Sequence, residues 1–417
     1  MNRLQAPSLV PISTIKFVKP FVSNSLPCEL IWFNDVADET VRFELHFNAG
    51  TIHGDILVSS LTNALLLSGT NTKTTTQIHE ELNFLGAYVD LQESTESAVV
   101  VVYCLREYLD SVLEILFDAL ANVVFPQQEI EDLLQDRKQQ FLVNSQKMSF
   151  LARRIFNTHF YPNDNRYGRI TRLETYNNVS QEIIRDFHKK YYLNGLERIV
   201  CVASLDEKLI QKWHERFALW SNKQAMNFLT ELQNTPTDIY EEKEDAIQTA
   251  IRIGFPLFNK TADDYVGLSV LQTILGDYFG SRLMSNLRED KGYTYGIGSG
   301  ILETFATGHL IIATEVKKEA QADALVQIKH EIQRLKDEKI SEDELQLVRN
   351  YLLGQLLKGA DGSDALMDLF LNVHLHNLDL DFYNRYIDRV KNITSDELQQ
   401  LANRYLDIDK ATIVRVG

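Results

Sequence analysis

Covalent staples and membrane anchors both find little support in this sequence. It has three cysteines in 417 residues, Cys28, Cys104 and Cys201, odd in number, far apart and in no C-x-x-C spacing. That argues against a disulfide framework and a cysteine-built zinc site, and it fits a reducing compartment. No apolar run approaches the roughly 18 residues a membrane helix needs. The opening residues MNRLQAPSLVPIST carry a single arginine and no continuous apolar stretch. A secretory signal is therefore not expected, and a cytoplasmic location is. Positive charge is also scarce: 42 Lys and Arg against 58 Asp and Glu leave a net charge of −16. This balance speaks against a nucleic-acid surface and for a preference for basic partners.

What is present is the composition of a soluble globular protein, 44% hydrophobic and 24% charged, in a chain long enough for two cores. Leu30–Phe33 and Val41–Phe47 read as strands, and Asn48-Ala49-Gly50-Thr51 as a turn. Ile56–Leu67 reads as a buried helix closed by Ser68-Gly69, and Thr76–Leu85 as an amphipathic one ending at Gly86. Tyr88–Tyr103 follows as a hairpin about Glu93-Ser94-Thr95-Glu96. Helices are predicted over 108–123, 126–145 and 149–160, then a loop over 161–165.

The later chain repeats the earlier one. Asn178-Val179-Ser180 opens a helix to Tyr191 before the strand Arg198–Ala203, and Asn392-Ile393-Thr394 opens one to Tyr405 before the strand Ala411–Val416. Asn178 and Asn392, like Tyr191 and Tyr405, lie 214 residues apart. The strand at Val41 is echoed by Thr249–Phe255 and the helix at Ile56 by Val266–Leu287. The helix at Pro126 is echoed by the one that Ser341-Glu342-Asp343-Glu344 opens. The expectation is an α+β fold of two homologous domains, 1–225 and 240–417, joined by a polar linker over 221–245.

The second half carries the most suggestive stretch, Ser281–Gly300. An apolar helix (Leu271, Ile274, Leu275, Tyr278, Phe279, Leu283, Leu287) stops at Lys291-Gly292, and from Tyr293 the period changes to that of a strand. Arg288 falls in the last helical turn and Tyr295 on the strand. Locally they read either as a helix-end cation and a strand aromatic, or as two groups converging on one carbonyl-bearing ligand.

Five motifs in order carry a family likeness: Ala49-Gly50-Thr51; Ser68-Gly69-Thr70; Leu82-Asn83-Phe84-Leu85-Gly86-Ala87; Tyr167-Gly168-Arg169; and LREDKGYTYG from Leu287. Both halves resemble insulinase-like (M16, inverzincin) zinc peptidases of the mitochondrial processing peptidase type. The resemblance covers nearly the whole chain. It implies sheets that are mostly antiparallel and covered by helices.

Active members of that family carry H-x-x-E-H, two zinc-ligating histidines with a glutamate base, and a third carboxylate ligand from a later helix. Aligned on Ser68-Gly69-Thr70, those positions here are Ser60, Leu61, Thr62, Asn63 and Ala64. The third-ligand position, 76 residues past Ala64, is Gln140. None of these offers the donor that zinc prefers. No metal and no catalytic residue of the chain's own is therefore expected. Substitutes are absent: His79-Glu80, His214-Glu215 and His330-Glu331 lack the second histidine, His374 and His376 fall on different helix faces, and Gly296–Gly300 is no phosphate loop.

Zinc-less members of the family pair with motif-bearing homologues, to which they lend an arginine and a tyrosine. Arg288 and Tyr295 match that pair residue by residue. The resemblance implies a non-catalytic subunit of a zinc metalloendopeptidase, inactive alone, positioning an unfolded peptide in a shared chamber. The partner would be an H-x-x-E-H homologue holding the zinc, or a second copy of this chain. The alternative is a self-associating peptide-binding module without protease activity; neither reading involves nucleic acid or membrane.

Overall fold

A computed structural model describes residues 19–34, 36, 39–161, 165–221, 232 and 234–417. The N-terminal stretch read for a signal, part of the linker and part of the loop after Phe160 lie outside the described residues. The first sheet takes β1 (Phe21–Ser23), β2 (Glu29–Phe33), β3 (Thr40–Phe47), β4 (Tyr88–Glu93), β5 (Ala98–Leu105) and β6 (Leu196–Val202), in the order β1-β2-β6-β3-β5-β4. The second takes β7 (Thr237–Glu241), β8 (Gln248–Leu257), β9 (Thr294–Glu303), β10 (Gly308–Lys317) and β11 (Thr412–Val416), in the order β7-β11-β8-β10-β9. Beyond β1 the two orders match. In each, one parallel pair (β2 with β6, β7 with β11) adjoins antiparallel neighbours. The fold is α+β with two homologous halves, as expected.

Strand β3 shows why the sequence alternates. Val41, Phe43, Leu45 and Phe47 are at most 1% exposed and enter the helix-covered core with Leu113, Leu116, Trp213 and Phe217. The opposite face carries Arg42, half-buried, and Glu44 and His46, both buried and linked to one another rather than left to water. Glu44 accepts from His46 at 2.6 Å and pairs with Arg42, whose guanidinium also meets Asp368 at 2.6 Å. Despite burial, the His46 and Arg42 hydrogen bonds and charges hold the Glu44 carboxyl below its usual range.

Asp368 belongs to the second half, and it marks an exchange of helices. Helix Ser363–His374 lays Met367, Phe370 and Leu371 on Ile31, Phe33, Val200 and Val202 of the first sheet. Its counterpart Met148–Phe160 lays Ala152, Phe156 and Phe160 on Ala250, Val414 and Val416 of the second. The halves also meet at their hairpins, where Glu96 accepts from Tyr167 at 2.6 Å and from the Phe305 N–H at 2.9 Å. That contact explains Tyr167 in the Tyr167-Gly168-Arg169 motif. Gly50 of Ala49-Gly50-Thr51 has a similar reason, since a β-carbon there would stand 2.4 Å from the Glu96 and Ser97 backbone.

Two readings change. Thr237–Glu241, inside the stretch taken as linker, forms β7 and pairs in parallel with β11. Its alternation is muted because an edge strand leaves polar side chains in water. The apolar stripe 271–287 is also not one helix. An α-helix over Tyr265–Gln272 passes into a π-helical turn at Thr273–Asp277, the chain extends at Tyr278, and a second π-helical turn runs Met284–Asp290. The stop at Lys291-Gly292 stands, with Gly292 at φ +62°.

Candidate functional site

Helix Ile56–Ala64 begins at Asp55, whose carboxylate accepts the Leu57 N–H at 2.8 Å, and buries Leu57 and Leu61. The positions aligned with H-x-x-E-H, Ser60 and Ala64 for the ligands and Asn63 for the base, emerge on one side of it, beside the end of β4. Ala64 is exposed and Ser60 half-buried, while Asn63 is 4% exposed. The Asn63 amide nitrogen donates to the Gln92 carbonyl at 3.2 Å and to the Tyr192 hydroxyl at 3.1 Å, fastening the helix to β4. A methyl, a hydroxyl and an amide already committed as donor do not fit a Zn²⁺ ion. Among the described residues, no three His, Cys, Asp or Glu side chains are grouped to hold a metal.

One carboxylate does stand there. Glu93, the last residue of β4, accepts hydrogen bonds from the Ser59 and Ser60 hydroxyls. Burial pushes its carboxyl up to about 7, against the pull of the Ser59 hydrogen bond, the Arg137 charge and Ser60. Sequence reading placed Glu93 in a turn and passed over it. Its signal was only its position, one residue past Gln92 on the strand that flanks the helix.

Gln140 makes no hydrogen bond to this cluster. It is exposed on helix Gln127–Asn144 and lines a cavity of about 290 Å³ with Arg137, Arg153, Arg154 and Arg169. The Arg154 guanidinium donates to the Thr171 carbonyl and lies over the Phe141 and Phe150 rings at 5.2 and 5.5 Å. Burial, then the neighbouring Arg172 and Arg153 charges, hold its pKa below the ordinary arginine value. These arginines were also missed. The signal was a local charge reversal: 148–172 has five arginines, no lysine and one acid, Asp164, in a chain of net charge −16.

On the second half, β9 is the outer strand of its sheet. Ile297 and Ser299 turn into the core, but Tyr295 is 90% exposed, beside a slip in register between Thr314 and Val316. Among the described residues its hydroxyl has no hydrogen-bond partner. Arg288, in the π-helical turn, lies over the Phe279 ring at 4.8 Å and pairs with Glu289 at 3.4 Å. The turn that carries the half-buried Arg288 packs against β9, the strand that carries Tyr295.

The two lobes repeat one α+β unit, and helix Ile56–Ala64 carries no H-x-x-E-H. Comparison with known proteins agrees. Residues 33–166 match the model of insulinase (peptidase family M16), and 178–352 match the peptidase M16 inactive domain. The chain belongs to the M16 family, as a non-catalytic-type member. It is 24% identical over 306 residues to an uncharacterized zinc protease of Rickettsia felis, covering 72% of this chain and 73% of that one. It is 20% identical over 347 residues to the non-peptidase homolog YmxG of Helicobacter pylori, covering 79% and 77%. In fold it superposes on a peptidase M16 inactive domain from Pseudomonas fluorescens with a TM-score of 0.84, at 21% identity, covering 96% and 98% of the two chains.

Proposed function

We propose that this chain is the non-catalytic subunit of an M16-type zinc endopeptidase. It binds an unfolded peptide and supplies Arg288 and Tyr295 to a homologue that bears H-x-x-E-H. The observation that carries the reading is the contrast between the two lobes. Asn63 and Ser60 are engaged in internal hydrogen bonds, whereas the Tyr295 phenol and the Arg288 guanidinium stand at the open end of an outer strand. Such a strand accepts an extended peptide by adding it to the sheet. A phenol and a guanidinium held beside it stabilise the oxyanion that forms when water attacks the peptide carbonyl. The partner holds the zinc and the base; this chain orients the peptide and walls half of the chamber. The three cysteines are free and buried, in keeping with a reducing compartment such as the cytoplasm.

The test mixes the chain with a homologue that bears H-x-x-E-H and follows cleavage of a quenched fluorescent peptide. Cleavage is expected in the mixture and not with this chain alone, and Arg288→Ala with Tyr295→Phe should abolish most of it. Turnover by the isolated chain with stoichiometric zinc would overturn the reading, as would full activity of the doubly substituted mixture. Peptide binding by a stable homodimer that never activates a homologue would favour the self-associating module instead.

A further inference from the structure

The cavity beside helix Ile56–Ala64 has a charge that the whole-chain balance does not foretell. Arg137, Arg153, Arg154 and Arg169 line it, and no aspartate or glutamate does. Among the described residues, none of the four makes a salt bridge to a carboxylate. Arg154 is held in place by the Thr171 carbonyl and the Phe141 and Phe150 rings, and Arg153 lies over Phe150 at 5.6 Å. The remaining polar lining consists of Gln140, Asn144, Asn157, Thr171 and Tyr176, every one able to donate a hydrogen bond. Four like charges facing one space repel each other, and that cost is offset when an anion enters. Arginine in place of lysine points to a planar, bidentate acceptor, which a carboxylate is.

We propose that this cavity is a subsite for acidic side chains of the bound peptide. The idea rests on the peptide-binding reading above and names its substrate class. The cavity lies where such a subsite belongs: Gln140 in its wall is the third-ligand position, and the Arg137 charge acts on Glu93 at the end of β4. A second cavity of about 300 Å³ shares Arg153 and Asn157 with it and reaches Arg252 on the second sheet; its one carboxylate, Glu303, is already paired with the Lys260 ammonium at 3.2 Å. The basic surface therefore continues across the seam between lobes. A peptide rich in Asp and Glu meets complementary charge along that path, and a basic peptide is repelled. The preference for basic partners expected from net charge is reversed at this place.

The experiment measures fluorescence anisotropy of the purified chain with three labelled peptides of equal length. One is acidic, one has Gln and Asn at the acidic positions, and one has Lys there. The acidic peptide should bind about tenfold more tightly than the amide peptide and lose that advantage as salt rises. Arg153→Gln with Arg169→Gln should bring the acidic peptide to the affinity of the amide peptide and leave the amide peptide unchanged. Arg153→Lys, which keeps charge but not the fork, should retain part of the preference. Equal affinity for all three peptides, or an unaltered preference in the double variant, would overturn the subsite while leaving peptide binding intact. Binding of no peptide would remove the function proposed above as well. If inorganic phosphate occupies the site more tightly than the acidic peptide, the cavity is a phosphate site and the proposal fails.

Discussion

Strands β4 and β9 are topological counterparts that end on the same residue type and surround it differently. Glu93 closes β4 before the reversal Ser94–Ser97, and Glu303 closes β9 before Thr304–Thr307. Each reversal is sealed by its first N–H bonding its last carbonyl, at 2.8 and 2.9 Å. Glu303 has a full set of partners: the Lys260 N–H at 2.7 Å, the Tyr265 hydroxyl at 3.1 Å and the Lys260 ammonium at 3.2 Å. Glu93 has two serine hydroxyls and, further off, the Arg137 charge. Duplication preserved the backbone position and left its chemistry free. In the second lobe the carboxylate became half of a structural ion pair. In the first it is an acid whose carboxyl burial pushes up to about 7, beside a helix that carries no H-x-x-E-H.

The largest expected effect comes from the exchange that joins the lobes. Phe156 is 1% exposed and stacked on Phe160 at 4.8 Å, in space that the missing side chain of Gly254 leaves open. Phe156→Ala should cost about 3 to 5 kcal/mol of unfolding free energy. All three tryptophans, Trp32, Trp213 and Trp220, lie in the first half. If the exchange makes one cooperative unit, the urea midpoint read by tryptophan fluorescence moves together with that read by far-UV circular dichroism. Two separated transitions would mean that the lobes unfold independently.

The next largest concerns the ion pair. Lys260→Met removes a cation that is 6% exposed and strands Glu303 with two neutral donors. The expected cost is about 3 kcal/mol, again from urea midpoints. Glu303→Gln in the same background should recover most of it. Failure to recover would mean that the ammonium acts mainly through Asn372, its other partner.

These two contrasts also mark what was legible in the sequence. The 214-residue spacing of the capped helices and the period-2 run in β3 are local signals, and the duplicated α+β unit was legible in them, though the strand order was not. The degenerate site was legible only through the family resemblance: aligned on Ser68-Gly69-Thr70, Ser60, Ala64 and Gln140 fall at the ligand positions and Asn63 at that of the base. What the sequence did not reveal depends on long-range packing. Helices 148–160 and 363–374 carry ordinary apolar faces, and nothing in them tells which sheet they cover. Glu93 looks like a turn residue until Ser59 and Ser60 are folded against it. The π-helical turns at 273–277 and 284–290 keep an apolar stripe that reads as plain α-helix.

A smaller effect should follow from Glu93→Gln, and it depends on pH. The folded carboxyl titrates at about 7 against an ordinary 4.5. The folded state therefore holds a proton that the unfolded state releases between those values, and wild-type stability falls as pH rises from 4.5 through 7. The penalty is absent at pH 4 and complete above pH 7. Glutamine keeps an acceptor for Ser59 without the charge, so it should equal wild type near pH 4 and exceed it by on the order of 2 kcal/mol at pH 8. Urea midpoints at the two pH values check this, and a gain that is the same at both would mean that Glu93 is not the titrating group.

The smallest expected change in stability accompanies the change of greatest functional weight. Tyr295→Phe removes a hydroxyl that is exposed to water and has no hydrogen-bond partner among the described residues, so unfolding free energy should stay within about 0.5 kcal/mol of wild type. Tyr88, 61% exposed on β4, supplies the matched control, because Tyr88→Phe makes the same chemical change on the other outer strand. In the mixture with a homologue bearing H-x-x-E-H, loss of an oxyanion donor should lower kcat on the order of a hundredfold for Tyr295→Phe, with KM little changed. Tyr88→Phe should leave both alone. Equal losses from the two would show that an outer-strand tyrosine merely helps seat the peptide; a loss confined to Tyr295 would place the chemistry on the second lobe and leave the first to hold the substrate.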